Sequence, residues 1–303
     1  AARPPVSAPA SLTGSAGRVV AVGDIHGDLH ALVKLLELSG LWSEAKRKWT
    51  GGTATFVQLG DTLDRGDDEY EVLELLRELK AAATVGGGRV ITMLGNHEVM
   101  NVMGVATPFI SPQSKGFGDD RAAAFRPGGE FAREFASWPV VAVVGTTAFV
   151  HAGLTPAIAR DAEAINAAAA SWLRAERDIP SILLPGLGQR SPVWTRYLSN
   201  PPDVDVSSNS CAELREALAL LGAKRVVVGH TPQDRINCAC GCIWRIDLGM
   251  SAAMGGGRLE AIEIVGDEVR SVDTQNERIC FMADLTAREA SALCTAGCTQ
   301  FSP

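Results

Sequence analysis

The stretch Gly60-Asp61-Thr62-Leu63-Asp64-Arg65-Gly66 directly follows residues 54–59, an apolar run that reads as a buried strand. A strand that stops on Gly-Asp, with a second carboxylate and an arginine one short turn later, sets three charged groups at one sheet edge. Crowded carboxylates repel one another unless a cation sits between them, and hard divalent cations favour oxygen ligands. The planar fork of Arg65 suits a phosphate or a carboxylate. The chemistry implied is a metal site that handles an anion. Taken by itself, the string is also compatible with a charged turn.

The histidines weigh against the charged turn. The chain holds five, and four of them, His26, His97, His151 and His230, stand where an apolar run ends in a glycine-bearing turn. A core histidine has no reason to choose that position repeatedly. Neutral imidazole is a common ligand of transition metals, so these four, joined to Asp24, Asp61 and Asn96, supply donors for two metal sites. His30, within an amphipathic stretch, reads as an ordinary surface or core histidine.

The elements that must carry these residues follow from periodicity. Residues 18–22 form a buried-strand run ending on Gly23-Asp24-Ile25-His26-Gly27-Asp28, and Asp28 is placed to cap the next helix, whose Leu32, Leu35 and Leu36 share one face. In an extended turn, Asp24 and His26 point to one side. After the Asp61 turn, Asp67 or Asp68 begins a second amphipathic helix. Residues 89–94 then form a third strand, ending on Gly95-Asn96-His97-Glu98. Strand, ligand turn and helix thus repeat three times, which implies βαβ construction with the site at the carboxyl ends of the strands. Residues 140–144 and 147–150 read as a hairpin leading to His151. An Ala-rich helical region, a loop over 199–210 and a helix through Leu221 follow. Strands at 225–228, 243–247 and 259–265 complete a second set. Thr286 and Glu289 match a capping box opening a short helix.

A length of 303 residues and a net charge of -7 allow one large α/β domain and argue against nucleic acid as a partner, since phosphate backbones require a basic footprint. No run approaches the roughly 18 apolar residues of a membrane span. Residues 1–17, rich in Ala, Pro, Ser and Gly, read as a disordered N-terminal segment. Their composition resembles the remnant of an organelle transit peptide, pointing to a chloroplast; the alternatives are the mitochondrial intermembrane space, a bacterial periplasm or the cytoplasm. Residues 18–303 are then a single catalytic domain. It carries an insertion at about 99–139, either substrate-side or a plain structural flap, and a Cys-containing extension at about 270–303. Of seven cysteines, Cys238, Cys240 and Cys242 alternate, while Cys294 and Cys298 would face each other on a helix. Disulfides or a redox switch, a zinc site and inert thiols all remain open for them.

The ordered strings GDIHG, GDTLDRG, GNHE, HAGL and GHT resemble the PPP-type phosphoprotein phosphatases of the calcineurin-like metallophosphoesterase superfamily, over about residues 18–265. GDTLDRGDDE, FVHAGL, PVWTRY and IWRIDLGM are similar to its Shewanella-like branch. The resemblance implies a four-layer α/β/β/α sandwich with metal-binding turns at the strand ends. It assigns a first metal to Asp24, His26 and Asp61, and a second to Asp61, Asn96, His151 and His230. His97 becomes the general acid and Asp64 the group that orients it. Arg65, Arg196 and Asn96 hold the phosphate. Two divalent ions are implied, manganese first, with iron or zinc as alternatives. The reaction is hydrolysis of phosphoserine and phosphothreonine, with phosphotyrosine open as a further substrate, through direct attack of a metal-bound hydroxide. A serine alkoxide leaves poorly, which is why an acid is needed.

Two rival functions are a dinucleoside polyphosphate hydrolase and a non-catalytic phosphate-binding module. The first resembles the chain less at GNHE and DRG, and the second would have lost a ligand or His97. Where eukaryotic members carry a SAPNYC segment contacted by toxins, this chain has Asp247-Leu248-Gly249-Met250-Ser251, which puts toxin sensitivity in doubt.

Overall fold

Alternate residues along each strand face different apolar surroundings, and this alternation builds the molecule. The computed structural model describes residues 11–12, 17–118, 120–188, 191–273 and 280–281. Two six-stranded sheets stack face to face. In the first, Arg18–Val22 pairs in parallel with Thr55–Gln58, which pairs in parallel with Arg89–Thr92. Glu260–Val265, Glu268–Asp273 and Cys280–Phe281 extend the other side of this sheet as antiparallel strands. In the second sheet, Thr147–Val150, Arg225–Val228 and Ile243–Arg245 run parallel. Val141–Val144 and Asn237–Ala239 flank them as antiparallel neighbours.

Val19, Ala21, Val57 and Ile91 of the first sheet meet Ala142, Phe149 and Val227 of the second in a buried layer between the sheets. The intervening residues Val20, Val22, Phe56 and Val90 point outward, against the helices Leu29–Leu38 and Glu69–Val85. On the far side, Val141, Val143, Val150 and Val228 pack against helices that include Ala162–Leu173 and Ser208–Leu220. Strands covered on both faces read as continuous apolar runs, as these do. The order is helix, sheet, sheet, helix, the four-layer α/β/β/α arrangement expected. Burying one large side chain such as Phe56 contributes about 1.5–3 kcal/mol.

Asp28 caps the first helix, its Oδ1 accepting from the Ala31 N–H at 2.8 Å, and His30 on that helix is exposed. Asp68 stands at the N-cap of the second helix without a side-chain capping bond. The loop expected over 199–210 ends earlier, because Ser207 caps a helix that starts at Ser208. Ser11–Leu12, expected to be loose, forms the outermost strand of the second sheet, in parallel with Val143–Val144. That edge offers unpaired backbone groups, which even a Pro-rich, polar segment satisfies without needing apolar side chains. A disulfide joins Cys211 of the Ser208–Leu220 helix to Cys240, and Cys238 and Cys242 are buried beside it. The expected helix at Thr286–Glu289 and the Cys294/Cys298 pair lie outside the described residues. No described helix is long and apolar enough to cross a membrane.

Candidate metal centre and active site

All the ligand turns converge at the carboxyl ends of the parallel strands, and their backbones are unusual. His26 (φ 47°), Asp61 (52°), Asp64 (67°), Arg65 (73°) and His230 (64°) are left-handed, a conformation that is costly for side-chain-bearing residues and clusters at functional sites. The Asp24–His26 turn is therefore curled where an extended one was expected. Two hydrogen bonds hold the curl, with the backbone N–H groups of Ile25 and His26 both donating to the Asp61 carbonyl, at 3.0 and 2.9 Å. Two glycines leave room for carboxylates. A Cβ on Gly95 would lie 2.2 Å from Asp61 Oδ1, and one on Gly229 would lie 2.5 Å from Asp24 Oδ1.

Each histidine is oriented by what holds its outer nitrogen. A carbonyl only accepts, so a ring nitrogen hydrogen-bonded to one must carry the proton. His26 Nδ1 donates to the Leu63 carbonyl at 2.9 Å, which turns Nε2 toward Asp61 Oδ2, 3.8 Å away. His151 Nδ1 donates to the Leu59 carbonyl at 2.8 Å, which puts Nε2 at 2.9 Å from Asn96 Oδ1 and 3.4 Å from Asp61 Oδ1. His230 uses Nε2, donating to the Trp194 carbonyl at 3.2 Å. His97 differs. Its Nδ1 meets a carboxylate, Asp64 Oδ2, at 2.6 Å, and its Nε2 faces the pocket, 3.9 Å from Asp61 Oδ2.

Among the described residues two groups have donor atoms close enough to share a cation: His26, Asp61 and His97, and Asp61, His151 and His230. Asp61 belongs to both. Asp24 is buried beside them and accepts from the His230 N–H at 3.1 Å. Asp247 is buried in the same pocket. The electrostatics register an excess of buried negative charge. Burial, and then the Asp247 carboxylate, hold the Asp24 carboxyl well above the usual range. Asp247 is pushed up to about 6, chiefly by burial. Burial acts on Asp61 in the same direction, but the charges of His151 and His97 outweigh it and keep this carboxyl well below its ordinary value. His151 is raised to about 10, because Asp61 and Asp24 overcome the opposing effect of burial. His26 is lowered to about 4 and His230 to about 3, in both cases mainly by burial. Buried carboxylates in excess, mixed with imidazole nitrogens turned toward them, form a donor set that fits first-row transition cations, a cation taking the place of the proton that the excess charge holds on His151.

The mouth of the site is a cavity of about 310 Å³. Arg65 and Arg196, both exposed, line it together with Asn96, His97 and the apolar Met100, Phe109, Trp194 and Met254. The Arg65 guanidinium lies 5.0 Å over the Phe109 ring, and Arg196 Nη1 donates to the His230 carbonyl at 3.1 Å. Among the described residues no carboxylate pairs with either arginine, which leaves both available to an anion.

Every residue expected at the site from sequence is brought to this one place; His151 and Asp64 lie fully buried behind the cavity wall. Sequence reasoning assigned no role to Glu98, Glu69, Asn101, Arg121 or Asp247. Glu98, fully buried, accepts from the backbone N–H groups of Asp61, Thr62 and Gly95 and from the Thr62 hydroxyl, locking the two ligand turns together. Its spacing from Gly95, that of a capping box, could have pointed to it. Asp247 ends the 243–247 run two residues before Gly249, a run-end signal like that of Asp24 and Asp61; nothing local marks the other three.

A protein-family model described as calcineurin-like phosphoesterase matches residues 17–234. Shewanella-like protein phosphatase 2 of Arabidopsis thaliana is 34% identical, across 86% of this chain and 78% of its own. Shewanella-like protein phosphatase 1 of Plasmodium berghei is 30% identical, across 78% of this chain and 67% of its own. Among solved structures, the cold-active protein-tyrosine phosphatase of a psychrophilic Shewanella species is similar with a TM-score of 0.74, covering 90% of this chain and 82% of that one. Its identity of 23% makes that a likeness of fold.

Proposed function

The chain belongs to the calcineurin-like phosphoesterase family, and from that premise we propose that it is a protein phosphatase with two divalent cations, acting on phosphate monoesters of protein hydroxyl groups. The observation that carries this reading is Asp61, which is common to both donor groups and lies next to an imidazole–carboxylate pair. Asp24, His26 and Asp61 would hold one cation, and Asp61, Asn96, His151 and His230 the other. Manganese, iron and zinc all suit such a set of oxygen and nitrogen donors. When bound, the cations supply an activated water near neutral pH and Lewis-acid stabilisation of the phosphate oxygens.

The rest of the chemistry belongs to side chains. Arg65, Arg196 and Asn96 line the cavity; the two guanidinium groups would neutralise the equatorial oxygens, where transition-state charge lies, and the Asn96 amide N–H would add a hydrogen bond. His97 stands at a distance that would also suit a cation, but Asp64 behind it favours the protonated ring. The His97 pKa is raised: burial lowers it, and Asp61 and Asp64 outweigh burial. Asp64 is itself raised by burial, so the pair as a unit retains a proton. His97 Nε2 then donates to the departing oxygen, which a serine or threonine alkoxide requires. The Cys211–Cys240 disulfide supports an oxidising or redox-regulated compartment for the enzyme.

The test combines metal analysis of the purified protein with a panel of phosphoserine, phosphothreonine and phosphotyrosine peptides and diadenosine tetraphosphate. About two ions per chain and preferential peptide turnover are expected. Preference for the dinucleotide, or no turnover with both ions bound, would overturn the reading.

A further inference from the structure

The segment after the His97 helix, which sequence left open as an insertion or a flap, sends one side chain back toward the acid. Arg121 opens the short helix Arg121–Phe125, and its guanidinium lies between the rings of Phe117 and Phe125, at 4.4 and 4.8 Å. It grips Glu69 with both nitrogens, Nη1 to Oε2 at 2.9 Å and Nη2 to Oε1 at 2.8 Å. Nη2 also donates to Asn101 Oδ1 at 2.8 Å and lies 3.5 Å from Asp64 Oδ1.

Both carboxylates it serves are fully buried. Glu69 accepts from the Asp64 backbone N–H at 2.7 Å, so it fixes the main chain of the residue behind His97. Asn101 fixes the side chain of the same residue. Its Nδ2 donates to Asp64 Oδ1 and Oδ2, at 3.1 and 3.0 Å, and to the His97 carbonyl at 2.9 Å. An amide that presents nitrogen to Asp64 must present oxygen away from it, and that oxygen is the one Arg121 holds. Two like charges this close would also repel without a cation between them.

We propose that Arg121 is a positioning residue for proton donation. By holding Glu69 and the Asn101 amide together, it sets the orientation of Asp64 and, through it, of His97. This rests on His97 being the acid. Arg121 is not among the residues that line the cavity, so its loss should be felt in the proton-transfer step. Partners at this remove typically contribute about 10–100-fold.

The experiment measures kcat/KM of the metal-loaded enzyme on a phosphoserine peptide and on p-nitrophenyl phosphate, whose leaving group needs little protonation. Arg121→Gln should lose about 10–100-fold on the peptide and no more than a few-fold on p-nitrophenyl phosphate, with metal content unchanged. Because Arg121 acts through His97, the double variant with His97→Asn should be no slower on the peptide than His97→Asn alone. Equal losses on both substrates, additive losses in the double variant, or loss of bound metal would each overturn the proposal. If His97→Asn itself shows no selectivity between the substrates, the acid assignment has failed, and Arg121 with it. If Arg121→Gln does not fold, Arg121→Lys decides by the same criteria, since an ammonium keeps the charge beside Glu69 but lacks the fork that also reaches Asn101.

Discussion

Asp61 and Asp64 occupy the same turn, three residues apart, yet their surroundings differ in kind. Around Asp61 the imidazoles of His26 and His151 are held at Nδ1 by neutral carbonyls, so their Nε2 atoms face inward. Behind Asp64 there is one imidazole, held by the carboxylate itself, and a guanidinium pairs with Glu69 next to it. A carbonyl partner orients a ring and favours its charged form only weakly, whereas a carboxylate partner, which carries a full negative charge, favours the imidazolium strongly. On the proposed reading, the same residue type is a cation donor on one side and a proton donor on the other. The partner decides the role.

The most severe test of this contrast is Asp61→Asn. It removes the anion common to both donor groups, and should reduce kcat by more than about 1000-fold while metal content, measured by elemental analysis, falls. Near-wild-type turnover would break the Asp61 side of the comparison. His97→Asn comes next, with a loss of about 10²–10⁴ on phosphoserine peptide and a distinctly smaller one on p-nitrophenyl phosphate. A fall in bound metal here would move His97 to the donor side. Asp64→Asn should show the same selectivity in weaker form, since it disturbs the orientation and charge of the ring and leaves the ring in place.

A control outside both regions has the smallest effect. Glu263, on the strand beside Arg18–Val22, accepts from Arg18 and Arg270. Burial alone would raise its pKa, but the hydrogen bonds from Arg270 and Arg18 outweigh it and hold the carboxyl below its usual range. The folded value is depressed, so the stabilisation is present above the unfolded pKa of about 4.3 and is lost as pH falls through the folded value. Glu263→Gln should lower Tm at pH 7 and converge on wild type in acid, with activity per folded molecule unchanged. A Tm difference that persists below the carboxylate range would mean that packing, and not charge, is what the substitution removes.

The strands, the first two helices and the ligand turns were legible because their signals are local: apolar runs, capping residues, and glycines next to Asp and His at run ends. The Ser11–Leu12 strand was not legible, since edge pairing depends on an open backbone edge supplied by Val141–Val144 and leaves no mark in composition. The disulfide partner of Cys240 was equally hidden, because Cys211 stands 29 residues away on a helix.

Sequence alone determined which residues gather at the strand ends, because strand period and glycine-bearing turns place Asp24, His26, Asp61, Asn96, His151 and His230 there whatever surrounds them. Tertiary structure decided how those residues are oriented. His151 takes its orientation from a carbonyl 92 positions away, and Asp24 Oδ1 meets the backbone N–H of a residue 206 positions on. Arg121 reaches Glu69 across 52 positions and Asn101 across 20. Tautomer, proton affinity and side-chain orientation depend on such partners, and a partner is a property of packing that no local pattern encodes.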